Sequence, residues 1–180
     1  MRRRAAVGDG WHIGIVTADA AETRTVLDVF GIGGGRRFHT GRMAVPGGVT
    51  YLVATPPAGA DGIAAALAGL CARYDPRVVV QVGEDPGDVV VTCGREPIEG
   101  ALHSFFAAAG EPATLPGFAG GAPFRVHRGT SDGGEVSRFC AHATTRTGKP
   151  LAWAVIRGVT TDAAQTLRYL IPYLRPRLLP

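Results

Sequence analysis

The run Val78-Val79-Val80-Gln81-Val82 constrains this chain more than any other feature. A continuous apolar run of this kind is the pattern of a strand covered on both faces. It follows a clear amphipathic helix, Gly62–Tyr74, which carries Ile63, Leu67, Leu70 and Tyr74 on one face and is stopped by Asp75-Pro76. A second apolar run, Asp88–Thr92, comes after a brief Gly83–Gly87 loop, and Leu151–Ile156 reads as another buried strand. Strands covered on both sides require helices in two layers.

The other segments supply them. Trp11–Thr17 is a short buried strand flanked by glycines, its apolar centre at Ile13–Val16. Ala20–Phe30 then sets Val26, Leu27 and Phe30 at helical spacing, and the glycines from Gly31 end it. Phe38–Val45 and Val49–Thr55 are β-rich and joined by Pro46-Gly47-Gly48, a hairpin signal. Ile98–Ala109 is expected as a helix through Leu102, Phe105 and Phe106, followed by a Pro- and Gly-rich loop and a strand at Phe124–His127. Glu135–Thr147 reads as a helix ended by Gly148, and Ala163–Leu174 as a closing helix interrupted by Pro172. The alternation predicts an α/β fold with a largely parallel or mixed sheet. No internal repeat or long linker divides the chain, so residues 11–180 are expected as one domain behind a disordered basic tail, residues 1–10.

Composition excludes several functions. Of 180 residues 46% are apolar and 19% charged, the balance of one globular domain. Net charge is +4, but the arginines are scattered, and the dense run Arg2–Arg4 lies in the tail. That distribution argues against a nucleic-acid surface. No stretch approaches the ~18 apolar residues of a membrane span. Cys71, Cys93 and Cys140 share no ligand-like spacing, which points to reduced thiols and a cytoplasmic protein.

The five histidines never pair at ligand spacing, so no metal is expected, and no cofactor motif is present. Gly31–Arg36 looks like a phosphate loop, yet it follows a helix, whereas such loops follow a strand. It reads as a helix stop. No GxSxG elbow occurs.

What remains is a set of acids at strand exits: Asp19 and Glu22 after the first strand, Glu84 and Asp85 after Val78–Val82, and Asp162 after Leu151–Ile156. Ligands in open α/β sheets sit beyond the carboxyl ends of strands. Each acid alone reads as a helix cap or first-turn charge, Asp162 as a cap and Glu22 as a first-turn residue.

Taken in order, the segments resemble a known superfamily. Ile13-Gly14-Ile15-Val16-Thr17-Ala18 followed by Glu22 resembles the opening of the methylthioadenosine/S-adenosylhomocysteine nucleosidases and their nucleoside phosphorylase relatives. Thr40-Gly41, the alanine-rich helix Gly62–Tyr74, the strand opened by Gly87-Asp88 and the end Val155-Ile156-Arg157-Gly158-Val159-Thr160-Thr161-Asp162 resemble later family segments in the same order. About two-thirds of the chain is covered.

The resemblance implies a three-layer αβα fold with a mixed, mostly parallel central sheet. It implies that Glu22 activates water, that Glu135 holds ribose hydroxyls, and that Asp162 protonates a purine leaving group. Arg157, Thr161 and Thr17 would bind substrate, and Phe105, with Phe106, Phe118 and Phe124, is the candidate base-stacking wall. A small-molecule nucleoside is the implied partner, and a homo-oligomer, most simply a dimer, the implied assembly.

Three departures keep a second reading open. The loop Gly83–Gly87 is shorter and more acidic than the family's glycine- and serine-rich loop, which disfavours phosphate. The segment after Thr92 is also shorter than in the enzymes. Counted from Arg157, Thr161 and not Asp162 falls where the family's acid stands. The alternative is therefore a non-catalytic module that binds a nucleoside or nucleotide or makes subunit contacts.

Overall fold

A computed structural model describes residues 12–35, 37–94, 96–130 and 132–178. The expected tail, residues 1–10, and Trp11 of the first expected strand lie outside the described residues. Among the described residues, eight strands and five α-helices follow one another as β1 (Ile13–Val16), α1 (Ala20–Phe30), β2 (His39–Val45), β3 (Gly48–Ala54), α2 (Gly62–Tyr74), β4 (Val78–Glu84), β5 (Val89–Cys93), α3 (Ile98–Ala109), β6 (Ala113–Leu115), β7 (Phe124–Arg128), α4 (Gly134–Cys140), β8 (Ala152–Gly158) and α5 (Thr160–Leu178).

The strands form one sheet in the order β2-β3-β1-β4-β8-β5-β7-β6. β1 pairs parallel with β3 and β4, β4 with β8, and β5 with β7. The pairs β2–β3, β5–β8 and β6–β7 are antiparallel. This is the mixed, mostly parallel αβα arrangement expected.

Alternation along the central strands fills two cores. Val78, Val80 and Val82 join Ile13, Ile15 and the apolar faces of α1, α3 and α5, while Val79 joins Val16, Val53 and Val155 beneath α2 and α4. The run that reads as a doubly covered strand is therefore buried from Val78 to Gly83.

The bounds of α1, α2 and α3 follow the sequence pattern. Gly31 ends α1 at φ 62, a left-handed turn that costs glycine little, and its N–H donates to the Asp28 and Leu27 carbonyls.

Elsewhere the structure departs from expectation. The helix expected over Glu135–Thr147 stops at Cys140. Beyond it, Thr145 N–H donates to Lys149 O at 2.8 Å, Lys149 N–H donates to Thr145 Oγ1 at 3.2 Å, and Thr144 bridges Pro150. Threonine hydroxyls compete in this way with helical backbone bonding. Arg146 then docks the turn on the end of α2, its N–H 2.9 Å from Asp75 Oδ1.

The closing helix is longer than expected. α5 begins at Thr160 and runs unbroken through Pro172 and Pro176. An internal proline costs about 3 kcal/mol. Leu167, Leu170, Ile171 and Leu174 are almost fully buried along this helix, and burial at about 1.5–3 kcal/mol each offsets that cost. The short edge strand β6 lies in a stretch expected as loop. None of the helices, among the described residues, is long and apolar enough to cross a membrane.

Candidate functional site

The parallel strands β1, β4 and β8 deliver four acids, Asp19, Glu22, Glu84 and Asp162, to one end of the sheet. After β1, Asp19 takes an extended conformation and caps α1, its Oδ1 accepting from Glu22 N–H at 2.9 Å. Glu22 is buried in the first turn, 8% exposed, and its carboxylate turns back toward the sheet. Oε2 accepts from Ala18 N–H at 2.8 Å, and Oε1 accepts from Glu84 N–H at 2.9 Å. The first bond is a variant of the capping box, reaching one residue further back than usual. The second ties the α1 start to the end of β4.

Glu84 continues the chain of contacts. Its Oε2 accepts from Thr160 N–H at 2.8 Å and also from the Thr160 hydroxyl. The end of β4 thus caps α5, and Asp162, expected as a cap, lies inside the first turn instead. Burial, and then the negative charge of Glu84, raise the Asp162 carboxyl above its ordinary 3.8. An open hollow of ≈ 280 Å³ is lined by Asp19, Ala21, Glu22, Thr25, Glu84, Val159, Thr160 and Thr161. Asp162 sits one residue beyond this lining.

The sign of the Asp162 shift sets a testable dependence. A carboxyl raised in the folded state stabilises the fold below its unfolded value, and that contribution is lost as pH rises through the folded value. Between those two values, stability should fall with rising pH in the parent. Asp162→Asn should flatten this slope, and the variant should be no less stable at neutral pH. Urea unfolding between pH 3 and pH 8 checks both.

The remaining expected site residues are placed as follows. Thr161 lines the hollow. Thr17 is buried, and its hydroxyl pairs with that of Thr23. Arg157 is exposed on β8, opposite Gly83 and Val90. Glu135 reaches α2, its Oε2 accepting from Ile63 N–H at 3.0 Å and Ala64 N–H at 3.3 Å. It supplies the cap that Asp61 does not make. Removing this carboxylate in Glu135→Ala should cost about 1 kcal/mol of stability, read from the urea midpoint.

Phe105 does not face the hollow. It is 2% exposed in α3, edge-on to Phe106 at 5.0 Å and to Tyr173 at 5.7 Å. Phe106, Phe118 and Phe124 belong to the same core. The expected aromatic wall is therefore core: α3 packs Phe105 and Phe106 along α5, and Phe124 of β7 and Phe118 before it join them. Cys71 and Cys93 are poor nucleophiles too: burial pushes both thiols up to about 11.

Glu84 and Thr160 are the contributors that sequence reasoning underrated. Glu84 reads there as one acid of a short loop, whereas the strand continues through it. The signal available was the β-rich run up to Gly83 with Glu84 as the first of two acids directly after it.

No family model and no curated protein matches this sequence. Solved structures do match. The native futalosine hydrolase of Helicobacter pylori superposes with a TM-score of 0.57 at 12% identity, covering 89% of this chain and 97% of that one. The 5′-methylthioadenosine/S-adenosylhomocysteine nucleosidase of the same organism, bound to butyl-thio-DADMe-Immucillin-A, gives 0.54 at 12% identity, covering 93% and 99%. The chain shares the fold of these two solved enzymes.

Proposed function

We propose that this chain is a nucleosidase-like hydrolase that cleaves the N-glycosidic bond of a purine nucleoside or related N-riboside. One observation carries the reading: Glu22 and Glu84 line a hollow at the strand ends, beside an Asp162 whose carboxyl holds its proton to higher pH than usual. Cleavage of the bond leaves positive charge on the ribosyl ring, and carboxylates beside it stabilise that charge. Each Glu22 oxygen accepts one backbone N–H and keeps a lone pair, with which it can orient water. The water oxygen bonds to the anomeric carbon, and the glycosidic electron pair leaves on the base. Asp162 protonates that base, and Glu22 receives the proton lost by the water. Thr161 offers a hydroxyl at the lining, while Arg157 stands at the end of β8. The acidic lining disfavours phosphate as the nucleophile.

Incubation with methylthioadenosine, adenosylhomocysteine or inosine should release free base, read by chromatography. Activity should decline on the alkaline side as Asp162 loses its proton. The proposed protein is a cytoplasmic homo-oligomer, with a dimer the simplest order, and sedimentation velocity reads that order directly.

A second reading is favoured by two particular contacts. Glu135 is committed to α2 and Thr17 to Thr23, so two groups assigned to the substrate are engaged elsewhere. A binding module without turnover would give a calorimetric signal with these nucleosides and no free base.

A further inference from the structure

We propose that Glu84 is a positioning residue, joining the turn that carries Glu22 to the helix start that carries Asp162. This inference rests on the reading above for its catalytic meaning, but its geometry stands alone. Glu84 ends β4, the strand between β1 and β8. Its backbone N–H holds one oxygen of Glu22, and its side chain holds Thr160 through both the backbone N–H and the hydroxyl. One residue therefore fixes two acids that arise about 140 positions apart in sequence. Next to it, Asp85 N–H donates to Gly158 O at 2.9 Å, which pins the end of β8 to the same segment.

The helix start could not be set as well without this residue. The first N–H groups of a helix have no partner within it. In α5 the Thr160 group is met by Glu84 from another strand, so the cap also sets where the helix begins relative to the sheet. A local cap would satisfy Thr160 without fixing that relation.

Several elements bring charge to this end of the sheet. β4 contributes Glu84, whose charge acts on Asp162, and the start of α1 contributes Asp19 and Glu22 to the lining of the hollow. α3 packs with its first turns near the far end of α5, where Ser104 meets Arg177. Of these groups, Glu84 acts most directly on Asp162, since its charge opposes ionisation there.

Two variants separate positioning from simple capping. Glu84→Gln keeps an oxygen for Thr160 but removes the charge, and Glu84→Ala removes both. Carbon-13 titration of the Asp162 carboxyl should show a lower midpoint in both variants. Amide exchange at Thr160 should rise about tenfold or more in Glu84→Ala and stay within about threefold of the parent in Glu84→Gln. Where base release is measurable, kcat should fall about tenfold in Glu84→Ala with KM held within about threefold, and Glu84→Gln should recover most of kcat at lower pH. An unchanged Asp162 midpoint in a folded Glu84→Gln protein overturns the proposal, as does unchanged Thr160 exchange in Glu84→Ala. Should Glu84→Ala fail to fold, the Glu84→Gln titration decides alone. The two magnetic-resonance arms need no substrate. A parent that releases no base would defeat the nucleosidase reading and leave the positioning result standing.

Discussion

Replacing Glu22 with glutamine should lower base release by a factor on the order of 10²–10⁴ and destabilise the fold by about 1–3 kcal/mol. Both effects follow from one carboxylate. Its two oxygens accept N–H groups from Ala18 and Glu84, and the side chain is nearly buried. Glutamine has only one acceptor oxygen, so its NH₂ must oppose one of those two donors. The site would then lose the tie between the β1–α1 turn and β4, together with the base that orients water. Chromatography of the products reads the first effect and urea unfolding the second. A folded Glu22→Gln protein with parental base release would remove Glu22 from the mechanism. Parental stability would remove it from the framework.

Phe105→Ala should cost about 3–5 kcal/mol, lowering the melting temperature on the order of 10 °C. Phe105 lies in the core between α3 and α5, against Phe106 and Tyr173. Truncation leaves a cavity that neighbours close only in part. A base-stacking residue would behave in the opposite way, raising KM with little effect on melting. Calorimetry of the variant, with KM for a cleaved nucleoside measured below its transition, separates the two roles. Phe105→Leu should retain most of the stability while removing the ring.

The architecture was legible where one signal dominated locally. α1, α2 and α3 have their expected bounds because apolar spacing, a stop residue and length agree at each. The hairpin β2–β3 follows from Pro46-Gly47-Gly48 between two β-rich runs. Legibility failed where distant segments decide. Thr144 to Lys149 leave the helix because a threonine-rich turn can dock on Asp75, some 70 positions earlier. Pro172 does not break α5 because the helix has two others to lean on. The candidate site shows the same division. Glu22 as a first-turn acid is a local reading and holds, whereas Asp162 as a cap does not, since α5 begins two residues before it. That Glu135 would cap α2, or that Phe105 would face α5, depends on packing no spacing reveals. The role of Glu84 was hidden for the same reason, since its partners come from the first and last thirds of the chain.

The strand order has a consequence for how the protein is made. β8, the last strand in sequence, stands between β4 and β5. During synthesis from the N-terminus, β1 to β4 and β5 to β7 emerge as two half-sheets with no strand to join them. Each presents an open inner edge, rich in valine, to whatever strand is nearby. The gap closes only when Ala152–Gly158 inserts as a wedge between them. Slow release of that late segment from the ribosome should prolong the interval in which nascent chains associate with one another.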